Sequence, residues 1–191
     1  EMVSEILQYI GENIRITAEE ADCMYSGIMI DTNNFMTKTG VRTFEAAAFL
    51  RRNGADVTRV RKLFRENATE YKAKADAVSQ AEIYRNSFAI STCTSEDIQS
   101  PTVVGAQAAN ELLNIRGVKA SFVLTEYQNQ IFISARSIDE VNVQIIMEKM
   151  GGGGHLGTAG CQLNGVSIAE GIGLLKGTLD KMLEEGDLAV D

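Results

Sequence analysis

The stretch ISARSIDEVNVQIIMEKMGGGGHLGTAG, residues 133–160, changes its period twice. Its first residues close an alternating run from Gln130 to Ser134, as expected of a half-buried strand. Val143, Ile146, Met147 and Met150 then share one face of a helix over 141–150. Gly151 to Gly154 follow, and lead to His155, the single histidine of the chain. Glycines without Cβ atoms expose backbone N–H groups, so such a loop can close around an anionic oxygen. A histidine at its end adds a tunable donor. The glycine run by itself fits equally a flexible hinge beside a surface histidine, and its neighbours have to decide.

Outward from this stretch, the chain divides into an all-helical first part and an α+β second part. Val3, Ile6, Leu7, Ile10 and Ile14 repeat at the spacing of one buried helical face. Thr17 and Glu20 form a capping box for a second helix, buried through Ala21, Met24, Tyr25 and Ile28 and running into Asp31. Thr43 is expected to cap a third helix that Gly54 ends, and Asp56 a short basic fourth. Asn67 with Glu70 starts a connector helix predicted over 67–84, through Tyr71, Ala75 and Val78. Beyond it, Phe88 and Ile90 alternate as in a strand, and Ser100-Pro101 opens a helix through Leu113. Ala120–Glu126 and Gln130–Ser134 read as a hairpin turning at Gln128 and Asn129. Cys161–Leu163 is expected as a short strand, and Ser167 with Glu170 boxes a last helix buried through Ile172, Leu175, Leu179 and Leu183.

The composition sets bounds on function. The 191 residues suffice for one large or two small domains, and 45% hydrophobic with 23% charged residues is ordinary for a globular chain. Cys23, Cys93 and Cys161 are far apart and form no C-x-x-C pair, which argues for inert buried thiols rather than a zinc site or disulfide framework. A net charge of −8 disfavours long nucleic acid as a partner. Arginines and lysines do concentrate over 51–74, where most would solvate helix faces and one or two could meet an anion.

Few residues offer chemistry. Arg136 lies just past the predicted second strand of the hairpin, and Asn142 near the start of the next helix. An arginine and a glycine–histidine loop at one sheet edge make a compact anion site, because a guanidinium offers fork-like donors and stays charged. Alone, Arg136 would read as a surface ion pair. Asp31 could ligate a hard cation or simply cap a turn. With a single histidine, the chain cannot assemble a two-metal centre or a Ser-His-Asp constellation from these residues.

Together these residues resemble the DHH phosphoesterase superfamily. The segment from Ser134 to Gly160 is similar to the signature of its C-terminal DHH-associated domain, and Gly27-Ile28-Met29-Ile30-Asp31-Thr32 to the last metal motif of its catalytic domain. Thr39 to Phe44 and Leu50 to Asp56 are most similar to the subgroup that hydrolyses cyclic di-AMP. The resemblance spans essentially the whole chain, but the Asp-His-His motif and the earlier metal motifs are absent, so a C-terminal portion of a longer enzyme is expected. It implies an α+β fold, in which a helical remnant of the DHH domain (1–66) and a connector (67–84) precede a smaller α/β domain (85–187) whose mixed sheet is flanked by helices. It further implies a hydrolase with two manganese ions, of whose ligands only Asp31 is present, so this stretch would bind none itself and be inactive alone. Substrate phosphate would be held across an interdomain cleft by Arg136, Gly152, Gly153, Gly154 and His155, with Ser134 and Asn142 shaping the site. The implied partner is a cyclic dinucleotide cut to a linear one, or, as alternatives, a short oligoribonucleotide or 3′-phosphonucleotide; a non-catalytic nucleic-acid-binding module is a further class. The subgroup implies a cytoplasmic location, membrane attachment only through upstream segments, and room for a homodimer.

Overall fold

The computed structural model describes residues 1–10 and 15–188, so Ile14 lies outside the described residues. The chain forms two compact units, Glu1–Glu66 and Asn67–Asp191.

The first unit is helical: α1 (Met2–Leu7), α2 (Ala18–Asp31), α3 (Val41–Arg52) and α4 (Val57–Leu63). Its core gathers Ala21, Tyr25, Ile28, Ala46, Ala47, Leu50, Ala55 and Val60. The Thr17–Glu20 box forms as expected, the Thr17 N–H donating to Glu20 at 2.8 Å and the Glu20 N–H to Thr17 Oγ1 at 3.2 Å. Asp56 caps α4, accepting the Arg59 N–H at 2.9 Å. Three expectations change. Val3, Ile6 and Ile10 are 61%, 55% and 59% exposed, and α1 buries only Ser4. This six-residue helix is held by polar contacts, Arg42 to Glu5 and the Thr43 hydroxyl to Glu1. And α3 starts at Val41, so Thr43 sits inside its first turn, its hydroxyl accepting the Gly40 N–H at 3.1 Å. Buried Asp22 joins α2 to α4: its carboxylate accepts from the Asp56 N–H and from Arg59 Nε, each at 2.6 Å. Cys23, expected to be buried, is exposed, whereas Cys93 and Cys161 are buried and their thiols pushed up by desolvation, Cys161 to about 11.

The second unit contains α5 (Ala68–Ser79), β1 (Glu82–Tyr84), β2 (Phe88–Cys93), α6 (Pro101–Leu112), β3 (Ala120–Tyr127), β4 (Gln130–Ser137), α7 (Val143–Lys149), β5 (Gly153–His155), β6 (Thr158–Asn164) and α8 (Ile168–Glu185). The predicted connector helix stops five residues short, at Ser79, because Ile83 and Tyr84 pair with β2 as an antiparallel edge strand. Its buried residues are Ala73 and Ala77 rather than Tyr71 and Ala75, since small side chains let α5 lie close against α6. The sheet runs β1-β2-β3-β4-β6-β5, with β2 and β3 parallel and the remaining pairs antiparallel. Gln128 and Asn129 form the expected two-residue turn, both left-handed (φ 52° and 60°).

One face of the sheet is buried over β2, β3, β4 and β6, where Phe122, Leu124, Ile131 and Ile133 meet Ile146 and Met147 of α7 and Leu175, Leu179 and Met182 of α8. The other face is covered over β2 and β3, where Ala89, Cys93 and Val123 pack with Ala73, Ala77, Val104, Ala108 and Leu112 of α5 and α6. Gly105 permits this closeness, since a Cβ there would lie 2.4 Å from the Thr125 hydroxyl. Among the described residues, no buried residue of β4, β6 or β5 belongs to this second core.

The glycine run is more ordered than a bare loop. Gly151 is left-handed (φ 85°) and its N–H donates to the Glu148 carbonyl at 3.0 Å, while the Gly152 N–H donates to the Met147 carbonyl at 2.8 Å. This paired closure is a Schellman cap on α7. Gly153 and Gly154 then extend as β5 against β6, and the expected strand at Cys161–Leu163 lengthens to Thr158–Asn164. Gly152 and Gly154 have no room for a side chain: a Cβ would fall 2.2 Å from the Gly160 carbonyl and 2.5 Å from the Ala159 Cα, respectively.

Two stability measurements follow from these contacts. The Asp22 carboxyl is held below its ordinary 3.8, first by the Arg59 hydrogen bond and then by the Asp56 N–H. A lowered folded value means its contribution is complete above 3.8 and lost as pH falls through that lower value. Asp22→Asn should therefore melt below the wild type at pH 7, with the gap closing in acid, by circular dichroism. Gly152→Ala should cost about 1–3 kcal/mol in denaturant unfolding through overpacking. Gly153→Ala, whose Cβ meets nothing within 4 Å, should change stability by less than about 1 kcal/mol.

Candidate functional site

Strand β4 alternates strictly: Ile131, Ile133 and Ala135 are buried in the α7–α8 core and Ser137 is buried on the same face, whereas Gln130, Phe132, Ser134 and Arg136 are half-exposed on the opposite face. The strand reaches Ser137, so Arg136 lies within it and not beyond its end as the sequence suggested. That single difference fixes where the side chain points.

Register carries the pattern across the sheet. Arg136 pairs with Thr158 of β6, and Thr158 pairs with His155 of β5, so the three stand in one cross-strand row. Ser134, Gly160 and Gly153 form the next row. Phe132 and Gln162 form the third. Arginine, threonine and histidine thus border a row containing one serine and two glycines.

The electrostatics are one-sided. Arg136 is half-buried, and burial pushes its guanidinium down from its ordinary value, although an arginine remains a cation at neutral pH. Its Nη1 donates to the Ala135 carbonyl at 2.9 Å and, more weakly, to the Ala159 carbonyl at 3.4 Å. Among the described residues no carboxylate pairs with it, and strands β4, β5 and β6 contain no Asp or Glu. A desolvated cation without a counter-ion is costly unless an anion completes it. Thr158 and His155 in the same row, and Ser134 in the next, add hydroxyl and imidazole donors on the same side.

The remaining sequence candidates are placed differently. Gly152 has its amide engaged in the α7 cap, so its contribution is steric. Gly153 and Gly154 are in the edge strand. Asn142 is the N-cap of α7, its Oδ1 accepting the Gln144 N–H at 3.1 Å. Asp31 ends α2 in the first unit, near Glu1, Thr32 and Lys38. No group of three or more His, Cys, Asp or Glu side chains converges among the described residues, so two manganese ions do not fit what Asp31 has around it. Thr158, Phe132 and Gln162 escaped the sequence reading. The Leu156-Gly157 pair between His155 and Thr158 was the available signal: read as a two-residue hairpin, it sets His155 opposite Thr158.

No described helix is long and apolar enough to cross a membrane. The chain is 44% identical over 171 residues to the cyclic-di-AMP phosphodiesterase PdeA of Listeria monocytogenes, covering 89% of this chain and 26% of that protein. It is 40% identical over 188 residues to the cyclic-di-AMP phosphodiesterase GdpP of Bacillus subtilis, covering 97% of this chain and 28% of the relative. The chain thus spans about a quarter of the length of these curated relatives. An exopolyphosphatase-related protein from Bacteroides fragilis shares the fold, with a TM-score of 0.84 at 23% identity over 95% of this chain and 55% of that one. The DHHA1 domain model matches residues 86–185, more than half of the sequence, and the chain belongs to the DHHA1 domain family.

Proposed function

We propose that the open face of β4, β6 and β5 holds a phosphate of a cyclic dinucleotide, and that this chain is the substrate-binding part of a phosphodiesterase that opens cyclic di-AMP to a linear dinucleotide. The observation that carries this reading is Arg136, half-buried without a carboxylate partner and in one row with Thr158 and His155. The named activity of the 40–44% identical relatives supports the substrate class.

In this reading Arg136 supplies charge and paired donors to the phosphate oxygens. Thr158 and Ser134 add hydroxyl donors, and His155 closes the outer side at the sheet edge. Gly152 and Gly154 let the edge strand pack tightly, which holds the His155 backbone beside Thr158. Gly153 keeps the row beside the phosphate low, and Asn142 fixes the start of the helix whose cap leads into β5. All of these are binding and orienting roles. Manganese chemistry would need ligands beyond Asp31, and no bond-breaking step is assigned to the residues of this chain.

Calorimetric titration with linear diadenylate tests the phosphate site. Arg136→Ala should weaken binding roughly 10- to 100-fold, as expected for loss of charge-assisted hydrogen bonds. Equal affinity in wild type and variant would remove Arg136 from the site. Incubation of this chain alone with Mn2+ and cyclic di-AMP should give no linear product by chromatography, because Asp31 stands outside any three-residue ligand group among the described residues. Turnover would show that the metal centre assembles from these residues after all.

A further inference from the structure

The third row of the open face has a chemistry of its own. Phe132 pairs across the sheet with Gln162, four residues along β4 from Arg136, or about 13 Å of strand. Phe132 is half-exposed, and its ring is braced by Tyr127 of β3, with centroids 6.4 Å apart and planes inclined by 52°. Gln162 is exposed, and its amide makes no hydrogen bond within the described chain. Between this row and Arg136 lie Ser134, Gly160 and Gly153, whose minimal side chains leave a shallow trough. A Cβ added at Gly153 would meet only open space.

We propose that Phe132 and Gln162 seat the adenine base of the nucleotide whose phosphate lies at Arg136, with the ribose across the trough. The inference rests on the phosphate reading above and adds what that reading does not contain, a base-recognition subsite. An aromatic ring on a sheet face offers a stacking platform that any base can use. A carboxamide offers an acceptor and a donor side by side, which match the N6 amino group and the adjacent ring nitrogen of adenine. Arginine at one end, small residues between, and an aromatic–amide pair at the other reproduce the phosphate–sugar–base order of a nucleotide. The absence of Asp and Glu from these three strands keeps the whole track compatible with an anionic ligand.

The test titrates the chain calorimetrically with AMP, ribose 5-phosphate and inorganic phosphate. Wild type should bind AMP about tenfold more tightly than ribose 5-phosphate, the gain of one stacked base. Phe132→Leu and Gln162→Ala should each shrink that advantage while leaving ribose 5-phosphate affinity unchanged, with melting curves confirming that both variants are folded. Arg136→Ala should weaken all three ligands. Equal binding of AMP and ribose 5-phosphate by wild type, with Arg136→Ala still weakening both, would overturn the base seat and leave the phosphate site standing. An AMP advantage that survives in both Phe132→Leu and Gln162→Ala would do the same. If Arg136→Ala changes nothing, the phosphate reading falls and the base seat falls with it.

Discussion

The antiparallel register of β4 with β3 on one side and β6 on the other is the constraint on which the second unit depends. It is enforced by burial. Ile131, Ile133 and Ala135 must face Phe122, Leu124 and the α7–α8 layer, and a slip of one residue would send all of them to the other side. Because side chains alternate, the same requirement sets Phe132, Ser134 and Arg136 on the opposite face. The candidate site is therefore a by-product of core packing, and its geometry is as firm as the core itself.

What keeps that opposite face open is an uneven covering of helices. Helices α5 and α6 approach the sheet through alanines and Gly105, and the apolar core they share with it is confined to β2 and β3, although α6 also runs beside β4. Past that core the sheet continues through β4 and β6, which are buried on one face and carry polar residues on the other, to the short edge strand β5, which has no buried residue. The arginine cation placed there is partly desolvated by its neighbours without gaining a carboxylate among the described residues, and the proposed phosphate site rests on that imbalance. The first unit handles its charges in the opposite manner: buried Asp22 is matched by Arg59 and a backbone N–H.

The glycine–histidine run shows how one motif can serve structure and site together. Two of its amides close α7, and two of its positions exclude any side chain because β6 lies against them. The run is ordered by these demands, so His155 is held beside Thr158 and Arg136 rather than carried on a free loop. Its glycines contribute mainly through space and shape.

Local physics was legible in the sequence. Thr17–Glu20, Asp56, Asn67 and Ser167 marked helix starts through side chains that reach only three residues, and the alternation of the hairpin strands and the Gln128–Asn129 turn could be read in the same way. The residue types of the candidate site and their closeness in the chain were legible too, as was the α+β class. Other features depended on partners distant in the chain. Whether α1 would bury its apolar stripe, where α5 would stop, and how far β4 would run were decided by packing that no short window contains. The row that joins Arg136, Thr158 and His155 belongs to that second group: residue types follow from the sequence, but cross-strand neighbours follow from register, which only the folded sheet sets.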